Sequence, residues 1–138
     1  MNVPLCLPDI GNDEIDTIIS VLKSGWLAHG KYNNELELLF AEKIGVKHAI
    51  TMNSCTSALE IALKASDIKG EVIIPSFTFI ATANAVINSD CTPVFCDVDL
   101  GARNVTPESI SSCITNKTKA VIVVHYAGQP CRMDEIKS

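Results

Sequence analysis

The 138-residue sequence has few aromatic residues, 5% with a single tryptophan, and no run of Lys or Arg. With a formal charge of −5 spread along the chain and few rings on which bases could stack, a nucleic-acid groove is excluded. No apolar run approaches the length of a membrane span. Asp9, Asp13 and Glu14 follow Met1 where a signal peptide would carry basic and then apolar residues. The expectation is a cytoplasmic protein with no membrane partner. The cysteines, Cys6, Cys55, Cys91, Cys96, Cys113 and Cys131, include no CxxC pair, and several lie in apolar strand-like or helix-like runs. They read as small buried hydrophobes in a reducing compartment, not as disulfides or zinc ligands. Neither a Walker loop nor GxGxxG occurs, so a nucleoside triphosphate or dinucleotide site lacks its signature.

What the sequence does contain is apolar residues, 47% of the chain, enough for the core of one domain. Asn12 is placed to cap a helix with Ile15, Ile18, Ile19 and Leu22 on one face, stopped at Ser24-Gly25. The loop WLAHGKYN follows. Asn33 or Asn34 then starts a second helix, with Leu36, Leu39, Phe40 and Ile44 inward and Gly45 at its end. VKHAITM (46–52) reads as a strand, and Ser57 to Ala65 as a helix rich in Ala, Leu and Ile that packs on a sheet. The alternation continues as strand EVIIP, helix TANAVINS, strand TPVFCDV, helix TPESISSCI with Pro107 in its first turn, and strand KAVIVVHY. This order predicts an α/β fold, a three-layer sandwich with a mostly parallel sheet. Val121 to Val124, apolar on both faces, are expected in the middle of that sheet. The segment CRMDEIKS reads as the first turns of a further helix, so residues 1–138 are expected to be the N-terminal part of a larger domain: two helices over 12–44, then alternating strands and helices.

In a parallel α/β sheet, ligands gather where strands turn into helices. Three such turns stand out: NSCTS (53–57), PSFTF (75–79) and HYAGQP (125–130). The first places Ser54, Thr56 and Ser57 at a helix N-terminus, where free N–H groups and the positive end of the helix dipole suit a phosphate. The same residues would also suit simple capping. The second places Phe77 and Phe79 just past a strand end, which suits a planar ring beside the phosphate, although a core position is the commoner fate of a Phe.

The segments SGWLAHGK (24–31), FAEKIGVKHAITMNSCTSALEIAL (40–63), EVIIPSFTFIATANAV (71–86), TPVFCDVD (92–99) and ITNKTKAVIVVHYAGQP (114–130) together resemble the DegT/StrS-type nucleotide-sugar aminotransferases. These are enzymes of fold type I that depend on pyridoxal 5′-phosphate (PLP). The resemblance implies that residues 1–138 are part of the large domain of that fold. It implies a phosphate cup formed by Thr56 and Ser57 with the amide of Cys55, and Phe79 lying against the cofactor ring. Gly25, Trp26 and Leu27 correspond to a segment near the substrate mouth at the dimer interface. His125 corresponds to a strand end close to the cofactor and is expected to be packed or bonded to backbone, without an acid/base role.

Two positions depart from the family pattern. Arg132 stands where an Asp is usual; it cannot accept from backbone N–H groups and so cannot cap the next helix. Cys55 stands where Gly is frequent. None of the lysines, Lys23, Lys31, Lys43, Lys47, Lys64, Lys69, Lys117, Lys119 and Lys137, matches the family's Schiff-base motif, which is expected beyond Ser138 with the acidic partner of the pyridine nitrogen. The chain alone is therefore expected to be catalytically incomplete. Three readings follow. One is part of an aminotransferase that acts on a keto-sugar nucleotide with glutamate as donor. Another is part of a related PLP-family sugar dehydratase, and the last is a non-catalytic binding or structural remnant. A homo-oligomer, in the family a homodimer, is the expected assembly.

Overall fold

Glycines stop the first two helices of the chain. In the computed structural model, which describes residues 6–138, α1 spans Asn12–Ser24 and ends where Gly25 adopts φ 72°, the left-handed conformation that costs glycine least. Its cap is Gly11, one residue before the predicted Asn12, and Glu14 reaches back to accept from the Gly11 N–H at 2.7 Å. α2 spans Lys31–Ile44 and ends at Gly45, φ 74°. It starts two residues before the predicted Asn33: Gly30 is the cap, and Asn33 Oδ1 accepts from the Gly30 N–H at 3.2 Å. Asn33 thus acts from the third position of the helix, closing the turn from inside.

The chain divides into two compact units, the first ending at Thr51 and the second running Met52–Ser138. Two expectations for the first unit need correction. Leu36, Leu39, Phe40 and Ile44 are not inward: each is more than half exposed, and only Ala41 of α2 is buried. Two helices without a sheet offer too little surface to cover such a stripe. Residues 46–52 form no strand, because an extended segment becomes one only by pairing and no described strand pairs with it. Its polar groups turn to α2 instead, where Glu37 Oε1 accepts from both the N–H and the hydroxyl of Thr51 at 2.8 Å.

The second unit is the predicted three-layer α/β arrangement. Its helices are α3 (Cys55–Ala65), α4 (Ala81–Asn88), α5 (Pro107–Cys113) and the single turn α6 (Met133–Ile136); its strands are β1 (Glu71–Pro75), β2 (Thr92–Cys96) and β3 (Thr118–Val121). The three described strands pair in parallel, in the order β2-β1-β3. Val72 and Ile74 of β1 face a cluster with Leu63 of α3 and Ala83 and Val86 of α4. Ile73 faces the opposite cluster with Cys96, Val105, Ile110 of α5 and Cys131. The period-two alternation of a strand buried on both sides thus sorts the helices into two layers.

β1, not the 121–124 run, is the middle strand. β3 lies at the edge and ends at Val121, after which the Ile122 N–H still donates to Ile73 O at 2.8 Å. Pro93 is accommodated because β2 is the other edge, where a missing N–H leaves no ladder bond unmade. Pro107 opens α5 behind the cap Thr106, whose hydroxyl accepts from the Ser109 N–H at 3.1 Å. All six cysteines are free. Cys91, Cys96 and Cys131 are buried as expected, whereas Cys6 and Cys55 are exposed and Cys113 is half-buried. Burial pushes the Cys96 and Cys131 thiols above their ordinary range, which keeps them protonated and inert.

Candidate functional site

The strand order β2-β1-β3 means that the chain leaves β1 to one side through α4 and crosses to the other side through α5. Between β1 and β3 the direction of winding reverses, and beyond the carboxyl ends of those strands such a reversal opens a crevice. A cavity of about 770 Å³ lies there, lined by Cys55, Thr56 and Leu59 of α3, by 77–79, Ala81 and Thr82, and by 122–127. Its volume falls within the range typical of small-molecule sites. All three turns singled out in the sequence contribute to it.

Part of the cavity is built by the N-terminus of α3. Ser54 is the cap: its hydroxyl accepts from the Ser57 N–H at 3.2 Å and lies 3.0 Å from Ser57 Oγ. Capping is therefore done by Ser54, which leaves Thr56 unneeded for it. The N–H groups of Cys55 and Thr56, first and second in the helix, have no intrahelical acceptor by construction of an α-helix. Cys55 and Thr56 line the cavity, whereas Ser57 does not and its hydroxyl faces Ser54.

Aromatic rings line the same cavity. Phe77 packs on Tyr126 with ring centroids 4.9 Å apart at 45°, within the favourable range for aromatic pairs. Phe79 lines the cavity with them and is 77% exposed. Ile122, Val123 and Val124 supply the apolar floor. His125 is held as expected, with Nδ1 accepting from the Cys131 N–H at 3.1 Å; its neutral form then carries the proton on Nε2. No Lys, Asp or Glu lines the cavity.

Of the predicted site residues, the structure brings Cys55, Thr56 and Phe79 to one cavity. Gly25, Trp26 and Leu27 belong to the first unit, where the Trp26 indole N–H donates to His29 O at 2.9 Å. Tyr126 lies outside the predicted site residues; the HYAGQP turn is its signal in the sequence, and its pairing with Phe77 is not readable from spacing. Arg132 occupies the cap position of α6 without a capping bond. Its guanidinium instead bonds Glu135 at 2.8 Å and Glu108 at 3.0 Å, so it ties α6 to α5. Among the described residues no cluster could hold a metal ion, and no helix is long and apolar enough to cross a membrane.

The chain is 45% identical over 136 residues to the spore coat polysaccharide biosynthesis protein SpsC of Bacillus subtilis, covering 97% of the chain and 35% of SpsC. Among solved structures it resembles Spr1654 of Streptococcus pneumoniae, described as a sugar aminotransferase and solved in its PLP form. The TM-score is 0.92 at 31% identity, over 99% of this chain and 36% of that one. It also resembles a GDP-4-keto-6-deoxymannose-3-dehydratase carrying a trapped adduct of PLP and glutamate, with TM-score 0.90 and 28% identity over 99% of this chain and 37% of that one. The chain thus spans about a third of the length of these relatives. The family model of the DegT/DnrJ/EryC1/StrS aminotransferases matches residues 8–138, and the chain belongs to that family.

Proposed function

We propose that the chain forms the phosphate- and ring-binding part of the PLP site in an aminotransferase that converts a keto-sugar nucleotide to an amino sugar, with glutamate as donor. The observation that carries this reading is the cavity itself. A helix N-terminus with two uncommitted N–H groups and the Thr56 hydroxyl lines it together with the Phe77, Phe79 and Tyr126 rings. These residues fit the cofactor: the dianionic phosphate suits the helix dipole and free donors, and the pyridine ring suits the aromatic and apolar wall. When bound, PLP supplies an electron sink for charge developing on the substrate amine carbon. The chain's own part is to bind and orient. Cys55 and Thr56 hold the phosphate, Ser57 supports the cup through Ser54, Phe79 covers one ring face, and the apolar floor excludes water. Gly25, Trp26 and Leu27 are proposed to border the sugar-nucleotide mouth.

No lysine or carboxylate lines the cavity. The chain by itself therefore holds the cofactor reversibly, without the lysine that moves the proton or the acid that pairs with the ring nitrogen. Residues 1–138 form part of the large domain, and the assembly is a cytoplasmic homodimer. A second reading, a PLP-dependent sugar dehydratase, is favoured by the likeness to the dehydratase structure.

Borohydride treatment after incubation with PLP, read by intact mass, tests the division of labour. The expected mass is that of the unmodified chain, with no 2-oxoglutarate formed from glutamate and a keto-sugar nucleotide. A stoichiometric adduct on one lysine would place the missing chemistry inside this chain.

A further inference from the structure

The turn that carries Tyr126 closes on its own backbone, where the Gly128 N–H donates to His125 O at 3.1 Å and the Gln129 N–H to Tyr126 O at 2.9 Å, and it is gripped as well by a buried side chain from outside the turn. Ala127 adopts φ 51° and Gly128 φ 80°, so two successive residues are left-handed, and the first has a Cβ that disfavours it. Asn104, only 4% exposed, reaches this turn across the sequence. Its Oδ1 accepts from the Tyr126 N–H at 3.0 Å, and its Nδ2 donates to Gln129 O at 2.9 Å. The two bonds grip the turn immediately before and immediately after its left-handed pair. The base of the clamp is itself fixed. Asn104 O accepts from the Asp99 N–H at 2.9 Å, Asp99 Oδ1 accepts from the Gly101 and Ala102 N–H groups at 2.9 and 2.7 Å, and Val98 bridges Val105.

We infer that Asn104 is a positioning residue for the cavity: by clamping both ends of the 126–129 turn it sets Tyr126 against Phe77 and so fixes the aromatic wall that grips the ring of a bound ligand. The inference rests on the PLP reading for the ligand, and on the structure alone for the clamp. An asparagine suits the task because one planar group offers an acceptor and a donor at once. No apolar side chain supplies either, and a carboxylate would lack the donor.

Two measurements on the full chain test this. In unliganded wild type, hydrogen exchange should show the Tyr126 amide protected; rapid exchange there would remove the clamp and overturn the inference without any variant. Asn104→Ala should speed exchange at Tyr126 at least about tenfold while leaving Ile74 of β1 unchanged, and should weaken PLP binding about three- to tenfold. It should also diminish the near-ultraviolet dichroism of the Phe77–Tyr126 pair. The PLP affinity of the double variant Asn104→Ala/Tyr126→Ala should lie within about twofold of Tyr126→Ala alone, because both changes act through one ring. Additive losses in the double variant, or faster exchange at Ile74 equal to that at Tyr126, would make Asn104 a general stabiliser and refute the positioning role. Failure of wild type to bind PLP, with the Tyr126 amide protected, would overturn the cofactor reading and leave the clamp standing.

Discussion

Replacing Thr56 by valine removes one hydroxyl and keeps the shape of the side chain, so it separates binding from folding at the N-terminus of α3. The cap of that helix is Ser54, whose hydroxyl accepts from the Ser57 N–H; Thr56 lies in the first turn and lines the cavity. Its loss should therefore change unfolding free energy by less than about 0.5 kcal/mol, the range of substitutions away from any special interaction. A hydrogen bond to a charged acceptor contributes about 1.5–3 kcal/mol, so the affinity for PLP should fall roughly ten- to 150-fold. Ser54→Ala is the contrasting change. It removes the cap, costs about 1 kcal/mol of stability, and weakens binding as well, because the amides of the cup are then less well ordered. Urea melts followed by far-ultraviolet dichroism, with PLP titrations by absorbance, give both quantities for each variant. If Thr56→Val lost as much stability as Ser54→Ala, or bound PLP as wild type does, the division between cap and cup would be wrong.

Gly70→Ala should destabilise the second unit by about 3 kcal/mol, through left-side backbone strain and overpacking: at φ 141° a Cβ would sit 2.7 Å from Lys117 O, the acceptor of the Glu71 N–H where β1 meets β3. A urea midpoint unchanged from wild type would contradict this. Glu37 is held below the usual carboxylate range by the Thr51 N–H first, then by the Thr51 hydroxyl and His29. A lowered folded-state pKa adds stability that is present above the ordinary glutamate pKa and is lost as pH falls through the lowered value. Thr51→Val should raise the Glu37 titration midpoint seen by carbon NMR of its carboxyl, and an unmoved midpoint would show that the hydroxyl contributes nothing. Light scattering should find a homo-oligomer at micromolar concentration, since Leu36, Leu39, Phe40 and Ile44 lie on an exposed apolar stripe; a clean monomer would count against it.

The sheet and its layers were legible because local and global signals agree there. Val72, Ile73 and Ile74 are β-branched, fully buried on both faces and flanked by turns, and Thr106-Pro107 marks a helix start without ambiguity. Residues 46–52 have the same strand-like composition but pair with no described strand, and pairing is a property of the whole sheet that a segment does not carry in itself. The place of 121–124 in the sheet is hidden for a related reason: hydrophobicity reports burial, not order, and β1 takes the centre of the described strands. Among the residues that line the cavity, Thr56 and Phe79 are readable as candidates from their places in strand-to-helix turns. Tyr126 and Asn104 are not, since their roles depend on contacts reaching 49 residues back to Phe77 and 22 residues back from Tyr126 to Asn104.

Titrating the chain with PLP, and following its visible absorbance and the quenching of protein fluorescence, tests whether Cys55, Thr56 and Phe79 form a cofactor cup. Binding should be saturable, reversed by dialysis and competed by inorganic phosphate through the α3 N-terminus. Linear, unsaturable absorbance with no phosphate competition would contradict it.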